Sequence, residues 1–435
     1  MLKLNYDKLS EINSDHGLSR KEIEAESVNL KMYLDKIKSY DLGFYSIIDD
    51  EKLLKSIENY ASQIKGKFQN IVVLGIGGSS LGTICLQQSL KHLYQNELSE
   101  QVYPKLHVID NIDPDLINGI EELLNLEQTL FIVVTKSGGT PETLSQFLYF
   151  REKVKSSNLV IEDHFVFVTD PEKGLLRELS NENPNIKTFE VPSNVGGRFS
   201  VLTAVGLLPA KLIGINIRAL IDGAREMRDK FLSENFEQNL PFQMAAIQYL
   251  SASKKGKSIN VTYPYVQKLI KLSDWYRQLL AESIGKELDR GGDKVNVGIT
   301  PVHALGATDQ HSQNQLYMEG PNDKLFIFIT VDKHQVELEI PFEEKFSEKL
   351  GYLKDVSFEK LLKTEMQGTI DSLVNYNKPS IKLEIEKVDE KNLGELLMFL
   401  ETATAFLGEF YNIDAFNQPG VEMAKNLTKK YLTKT

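Results

Sequence analysis

From Asn70 onward the chain repeats one texture: short runs of branched and aromatic apolar residues, each followed by a stretch long enough to form a helix. The runs lie at residues 71–74, 106–109, 130–134, 165–168 and 188–191. Apolar runs without polar alternation predict strands buried on both faces, and helical connections make such strands parallel. Further strands are predicted at 258–262 and 325–331, after a helical region running from 201 to about 253. The first 65 residues carry charged, helix-period patterns, as at 23–37 and 53–64, and helical periodicity returns at 393–432. The expected fold class is α/β, with two α/β/α sandwich domains over residues 66–200 and 201–392, each built on a mainly parallel sheet. Helical segments at 1–65 and 393–435 flank them. A chain of 435 residues, 41% hydrophobic, can fill cores for both.

Several function classes are disfavoured at this level. No run approaches the roughly 18 apolar residues that span a bilayer, and residues 1–10 lack an apolar secretory segment, so a cytoplasmic protein without a membrane partner is expected. The single cysteine, Cys85, leaves no disulfide framework and no thiolate cluster for a metal. A formal net charge of -11 repels nucleic-acid phosphates over most of the surface, so any anion must be held by a local arrangement of groups. That favours a small phosphorylated metabolite as partner, with no nucleic acid.

Two loops have that local chemistry. Residues 71–82 read IVVLGIGGSSLG, placing Gly75, Gly77, Gly78, Ser79 and Ser80 between a buried strand and a helix. Glycines allow close approach, and a helix N-terminus presents N–H groups to an anion. Ser80 stands where a dinucleotide fingerprint requires its third glycine, which argues against a nicotinamide cofactor. The second loop, Thr135-Lys136-Ser137-Gly138-Gly139-Thr140-Pro141-Glu142-Thr143, surrounds two glycines with hydroxyls and a lysine. Thr140 has N-cap chemistry and Pro141 suits a first helical position, so this loop too opens a helix at a strand's C-terminal end.

Four later motifs narrow the reading. They are Asn194-Val195-Gly196-Gly197-Arg198-Phe199-Ser200; the run Gln278-x-x-x-Glu282-Ser283-x-Gly285-Lys286; Gly306 followed by Gln310-His311; and Gln418-x-Gly420-Val421-Glu422-x-x-Lys425. Together with the loops they resemble the sugar isomerase (SIS) fold and, within it, the phosphoglucose isomerase family, over about residues 70–425. The resemblance implies reversible conversion of glucose 6-phosphate and fructose 6-phosphate through an enediolate, with neither metal nor cofactor, in glycolysis and gluconeogenesis. It implies that Gly78, Ser79, Thr135, Lys136, Ser137, Thr140, Gly197, Gln278 and Gln418 bind substrate. Glu282 would be the catalytic base that moves a proton between C2 and C1, and Arg198 would hold the developing oxyanion. His311 and Lys425 would open the sugar ring, with His311 reaching across a homodimer interface. A regulator of the same fold, binding sugar phosphate without reacting, could keep both loops but would not need Glu282, His311 and Lys425 together. Gly138-Gly139 stands where other branches of the family carry bulkier residues.

Overall fold

The structure is a computed structural model and describes residues 1–98 and 102–433. Twelve strands were assigned among these: β1 (Lys3–Asn5), β2 (Asn70–Leu74), β3 (Lys105–Ile109), β4 (Thr129–Thr135), β5 (Phe165–Thr169), β6 (Lys187–Glu190), β7 (Ile259–Pro264), β8 (Lys286–Leu288), β9 (Lys294–Val297), β10 (Thr300–His303), β11 (Lys324–Val331) and β12 (Ser380–Ile385). The first sheet runs β3-β2-β4-β5-β6 and is parallel throughout. Every residue of β2, β4 and β5 is buried, as their unbroken apolar runs require. The second sheet runs β1-β12-β11-β7-β10 and is parallel except for β1, which lies antiparallel on β12. β8 and β9 form a separate antiparallel ribbon.

The α/β architecture with mainly parallel sheets is thus the one expected. Four features differ from the sequence reading. Lys3–Asn5 adds an edge strand within a segment read as helical. β10 was missed because Pro301 interrupts it, but this strand pairs only with β7 and its other edge needs no N–H donor. β12 alternates buried and half-buried residues after its first two, so it lacks the continuous apolar run that marks the inner strands. The ribbon β8-β9 is mostly exposed and carries almost no apolar signal.

Two helices position the site. The helix Glu390–Phe410 is buried from Asn392 to Phe410 and packs against the helices Ile217–Phe231, Leu240–Lys255 and Ile270–Ile284. A helix so enclosed belongs in the core, although it carries Glu395, Glu401 and Glu409 into it. The helix Ile270–Ile284 lies between the two sheets, touching β10 on one side and the helix Leu81–Leu90 of the first unit on the other. Its buried face carries Leu272, Trp275, Tyr276, Leu279 and Leu280, which leaves Gln278 and Glu282 half-buried on the opposite side. Among the described residues, no helix is long and apolar enough to cross a membrane.

Candidate functional site

The turn that follows β2 and the turn at Gly197–Phe199 meet backbone to backbone. A Cβ built on Gly78 would lie 2.3 Å from the Gly197 carbonyl oxygen, so neither loop could keep its place if Gly78 carried a side chain. Ser200 ties the junction, its hydroxyl donating to the Gly197 carbonyl at 2.7 Å and reaching the Gly78 carbonyl at 3.4 Å. Gln278 reaches over the same turn, with its Nε2 only 3.0 Å from where a Cβ on Gly77 would be.

Arg198 is the centre of this junction and is 3% exposed. A buried guanidinium must have its N–H groups occupied, and here each of the five has an acceptor. Nε donates to Ser283 Oγ at 2.8 Å, and Nη2 to the carbonyls of Ala415 (2.6 Å) and Asn417 (3.1 Å). Nη1 donates to Gln418 Oε1 at 2.8 Å and lies 3.4 Å from Glu282 Oε2. Burial pushes the guanidinium below its ordinary pKa, opposed by the negative charges of Glu282 and Asp414. The other Glu282 oxygen accepts from Gln278 Nε2 at 3.0 Å, the bond expected of residues four apart on one helical face. While the Arg198 side chain is 2% exposed, that of Glu282 is 33% exposed, so the carboxylate opens toward solvent above a sequestered cation.

The loop after β4 gathers three hydroxyls. Thr135 Oγ1 lies 2.9 Å from Thr140 Oγ1 and 3.4 Å from Ser137 Oγ, and the last two are 3.3 Å apart. Thr140 does hold the N-cap position of the helix Pro141–Ser156, but its hydroxyl makes no capping bond and turns into this cluster. Three convergent hydroxyls beside an uncapped helix N-terminus suit a phosphate dianion. Gly138 is required here: its φ of 63° is left-handed, and a Cβ on it would come within 2.5 Å of the Gly174 backbone. β2 and β4 are adjacent parallel strands, so both loops leave the same edge of the sheet.

Two of the three donors of Lys136 are taken by the neighbouring segment. Its ammonium donates to the carbonyls of Ser193 and Val195, both at 2.7 Å, which ties the hydroxyl loop to the segment leading into Gly197-Arg198. Burial lowers its pKa. Ser79 stands half-buried in the first turn, where its backbone N–H donates to the Ile76 carbonyl.

The structure therefore brings Gly78, Gly197, Arg198, Gln278, Glu282 and Gln418 into one cluster, with the Thr135, Ser137 and Thr140 hydroxyls on the neighbouring loop. It does not bring His311 or Lys425 to them. His311 is exposed on the short helix Thr308–Ser312 and makes no hydrogen bond to the cluster among the described residues. Lys425 sits on the helix Glu422–Leu432, which has no buried residue; its side chain is 59% exposed and pairs with Glu422 at 2.8 Å. The sequence reading missed three partners of Arg198, the Ser283 hydroxyl and the Ala415 and Asn417 carbonyls. It also assigned nothing to Lys286, whose ammonium is buried beneath Glu282. The position of Lys286, a cation just past a helix C-terminus, was the available signal.

A sequence model of the family described as phosphoglucose isomerase matches residues 51–435. A glucose-6-phosphate isomerase of Carboxydothermus hydrogenoformans is 45% identical over 399 residues, 91% of this chain and 85% of the relative. One of Rubrobacter xylanophilus is 34% identical over 431 residues, covering 98% of each. Among solved structures, a hypothetical protein of Thermus thermophilus superposes with a TM-score of 0.89 at 32% identity, over 99% of this chain and 100% of that one. A glucose-6-phosphate isomerase of Chlamydia trachomatis shares the fold, with a TM-score of 0.85 at 20% identity over 99% of this chain and 88% of that one.

Proposed function

The chain belongs to the phosphoglucose isomerase family, and from that premise we propose how its residues carry out the aldose–ketose isomerisation of glucose 6-phosphate and fructose 6-phosphate. The substrate's phosphate is held by the hydroxyls of Thr135, Ser137 and Thr140, with Ser79 beside them. Gly78 and Gly197 let the sugar approach the backbone, and Gln278 and Gln418 fix its hydroxyls. Lys136 acts one step back, by joining the two loops.

In the open-chain sugar, the Glu282 carboxylate takes the proton from C2. The C2 electron pair forms the C1–C2 double bond of an enediolate, and the carbonyl electrons move onto O1. Arg198 stabilises that oxygen through its fixed charge and through Nη1, whose long 3.4 Å contact with Glu282 is exchanged for the substrate oxygen, and so favours the enediolate over the uncharged sugar. Glu282 then returns the proton to C1, the O2–H electrons form the C2 carbonyl and the O2 proton passes to O1, giving the ketose; nothing is gained or lost overall. Ring opening falls to His311 and Lys425. Their exposure in a single chain is consistent with His311 serving the site of a second copy, in a homodimer, and with Lys425 closing over bound substrate. The cytoplasm, where phosphorylated sugars are made and consumed in glycolysis and gluconeogenesis, is the proposed location.

The observation that carries this reading is the approach of Glu282 to Arg198 at 3.4 Å, with the carboxylate a third exposed and the cation buried. A base must be open to substrate, and a fixed cation must be shielded from water to act strongly. The test is conversion of fructose 6-phosphate by the purified protein in excess chelator. Glu282→Gln is expected to lose at least about two orders of magnitude in rate, as for a missing general base. Mixing inactive Glu282→Gln and His311→Ala chains should restore turnover, because a hybrid dimer contains one complete site. An undiminished rate in Glu282→Gln removes that residue from the reaction, and no recovery on mixing removes the shared site.

A further inference from the structure

We infer that Lys286 is a positioning residue for this reaction: its ammonium ties the last turn of the helix carrying Glu282 to the segment carrying Gln418, and so fixes Glu282 and Arg198 relative to each other. The inference rests on the proposed roles of those two residues.

The last carbonyls of any α-helix lack intrahelical donors. In the helix Ile270–Ile284, two of them are taken by Lys286 Nζ, the Glu282 carbonyl at 2.6 Å and the Ser283 carbonyl at 3.0 Å. Its remaining bond goes to the Asn417 carbonyl at 3.0 Å. That carbonyl also accepts from Arg198 Nη2 at 3.1 Å, and Arg198 Nε returns to Ser283. The four groups form a closed ring: Lys286, the Glu282–Ser283 turn, Arg198 and Asn417. Lys286 is 8% exposed, and the three donors of its ammonium are all directed at these carbonyls. None is left for substrate, so Lys286 acts on the geometry of its neighbours.

The charges facing it are Arg198 from the Gly197–Phe199 turn, Glu282 from the helix and Asp414 from the segment beyond the helix Glu390–Phe410. On its own ribbon, Glu287 pairs with Lys294 at 3.0 Å, both well exposed. Burial first, and then repulsion from Arg198, lower the Lys286 pKa to about 8, against the opposing pull of Asp414 and Glu282. A neutral amine keeps two N–H groups, so deprotonation leaves one of three buried carbonyls without a donor. The ring then loosens over a pH interval in which Arg198 keeps its charge.

The experiment compares wild type, Lys286→Met and Lys286→Arg, measuring kcat, KM and kcat/KM for fructose 6-phosphate between about pH 6 and pH 10, with thermal unfolding as the control for folding. Wild type should show an alkaline decline in kcat/KM centred near pH 8. Lys286→Met should lose on the order of 10²-fold in kcat with KM little changed, the penalty of a misplaced catalytic pair, and its residual rate should lack that decline. Lys286→Arg should restore rate over the Met variant and carry the decline beyond about pH 10, because a guanidinium stays charged there. A folded Met variant with wild-type kcat overturns the inference, as does an Arg variant that remains inactive or still declines near pH 8. If the Met variant fails to fold, the pH profile of the Arg variant decides. A wild-type protein inactive on the sugar phosphate would overturn the proposed function itself, a separate result.

Discussion

Replacing Arg198 by lysine keeps the charge and removes the fork. The guanidinium serves acceptors from all three nitrogens, Ser283 Oγ from Nε, Gln418 and Glu282 from Nη1, and the Ala415 and Asn417 carbonyls from Nη2. A lysine ammonium offers three donors from one point, so at least two of the five acceptors lose theirs. Some losses are tolerable: Asn417 retains its bond from Lys286, and Glu282 is open to water. Ser283 Oγ and the Ala415 carbonyl are served by different nitrogens and are both buried, so an ammonium that reaches one leaves the other unpaired. An unpaired buried acceptor costs about 1–3 kcal/mol, and the chain should unfold a few degrees earlier. The chemical step should suffer more, because a donor fixed at a developing oxyanion contributes about 10²–10³ in kcat. Both are measured on one preparation, with kcat followed by coupling glucose 6-phosphate formation to a dehydrogenase and unfolding by calorimetry. A kcat within about tenfold of wild type, equivalent to roughly 1.4 kcal/mol, would refute the oxyanion role. An unchanged unfolding temperature would refute the claim that the five bonds hold the C-terminal loop.

Two further perturbations test other parts of the molecule. Thr140→Val keeps the shape and deletes one of the three clustered hydroxyls, so KM for the sugar phosphate should rise on the order of tenfold or more while inhibition by inorganic phosphate weakens in parallel; an unchanged KM would remove Thr140 from the phosphate site. Glu401 is fully buried in the helix Glu390–Phe410, with no hydrogen-bond partner for either carboxylate oxygen among the described residues, and burial raises its pKa well above the ordinary value. A folded-state pKa above the unfolded one means the folded form holds the proton longer, so this group costs stability as pH rises from the unfolded carboxyl value, about 4.3, toward its folded value. Glu401→Met should therefore be more stable than wild type, by a margin that grows as pH rises above the unfolded carboxyl value in thermal unfolding. A margin independent of pH would show that the carboxyl is not buried and uncharged.

What could be read from the sequence follows from how strongly burial marks each residue. The inner strands β2, β4 and β5 are buried on both faces, so their sequences are almost purely apolar and locate them directly. β1 and β10 lie at sheet edges where composition is unconstrained, and Pro301 in β10 is allowed only because that edge is unpaired. The cluster around Arg198 was legible at Arg198, Gln278, Glu282 and Gln418 through motifs, since spacing alone could not join Arg198 to a residue 220 positions away. A lysine in a hydroxyl-rich loop suggests an anion partner, and the sequence does not show that the long stem of Lys136 also reaches two carbonyls of the neighbouring segment. Lys286 went unassigned because a single cation beyond a helix end is an ordinary feature, and its value depends on Asn417, a residue 131 positions away.

The shell around Arg198 also has a chronology. Gln418, one of its acceptors, is 220 residues further along the chain. At ribosomal speeds of ~5–20 residues per second, the guanidinium is synthesised roughly 10–40 s before that partner exists. Through that interval the nascent first sheet can form, but the N–H groups that will serve Ala415, Asn417 and Gln418 have nowhere to go except water or a chaperone. On the proposed roles, an isolated first half should therefore lack activity, and a premature stop between Thr143 and Ala415 should yield a chain with both glycine-rich loop sequences intact and no working centre.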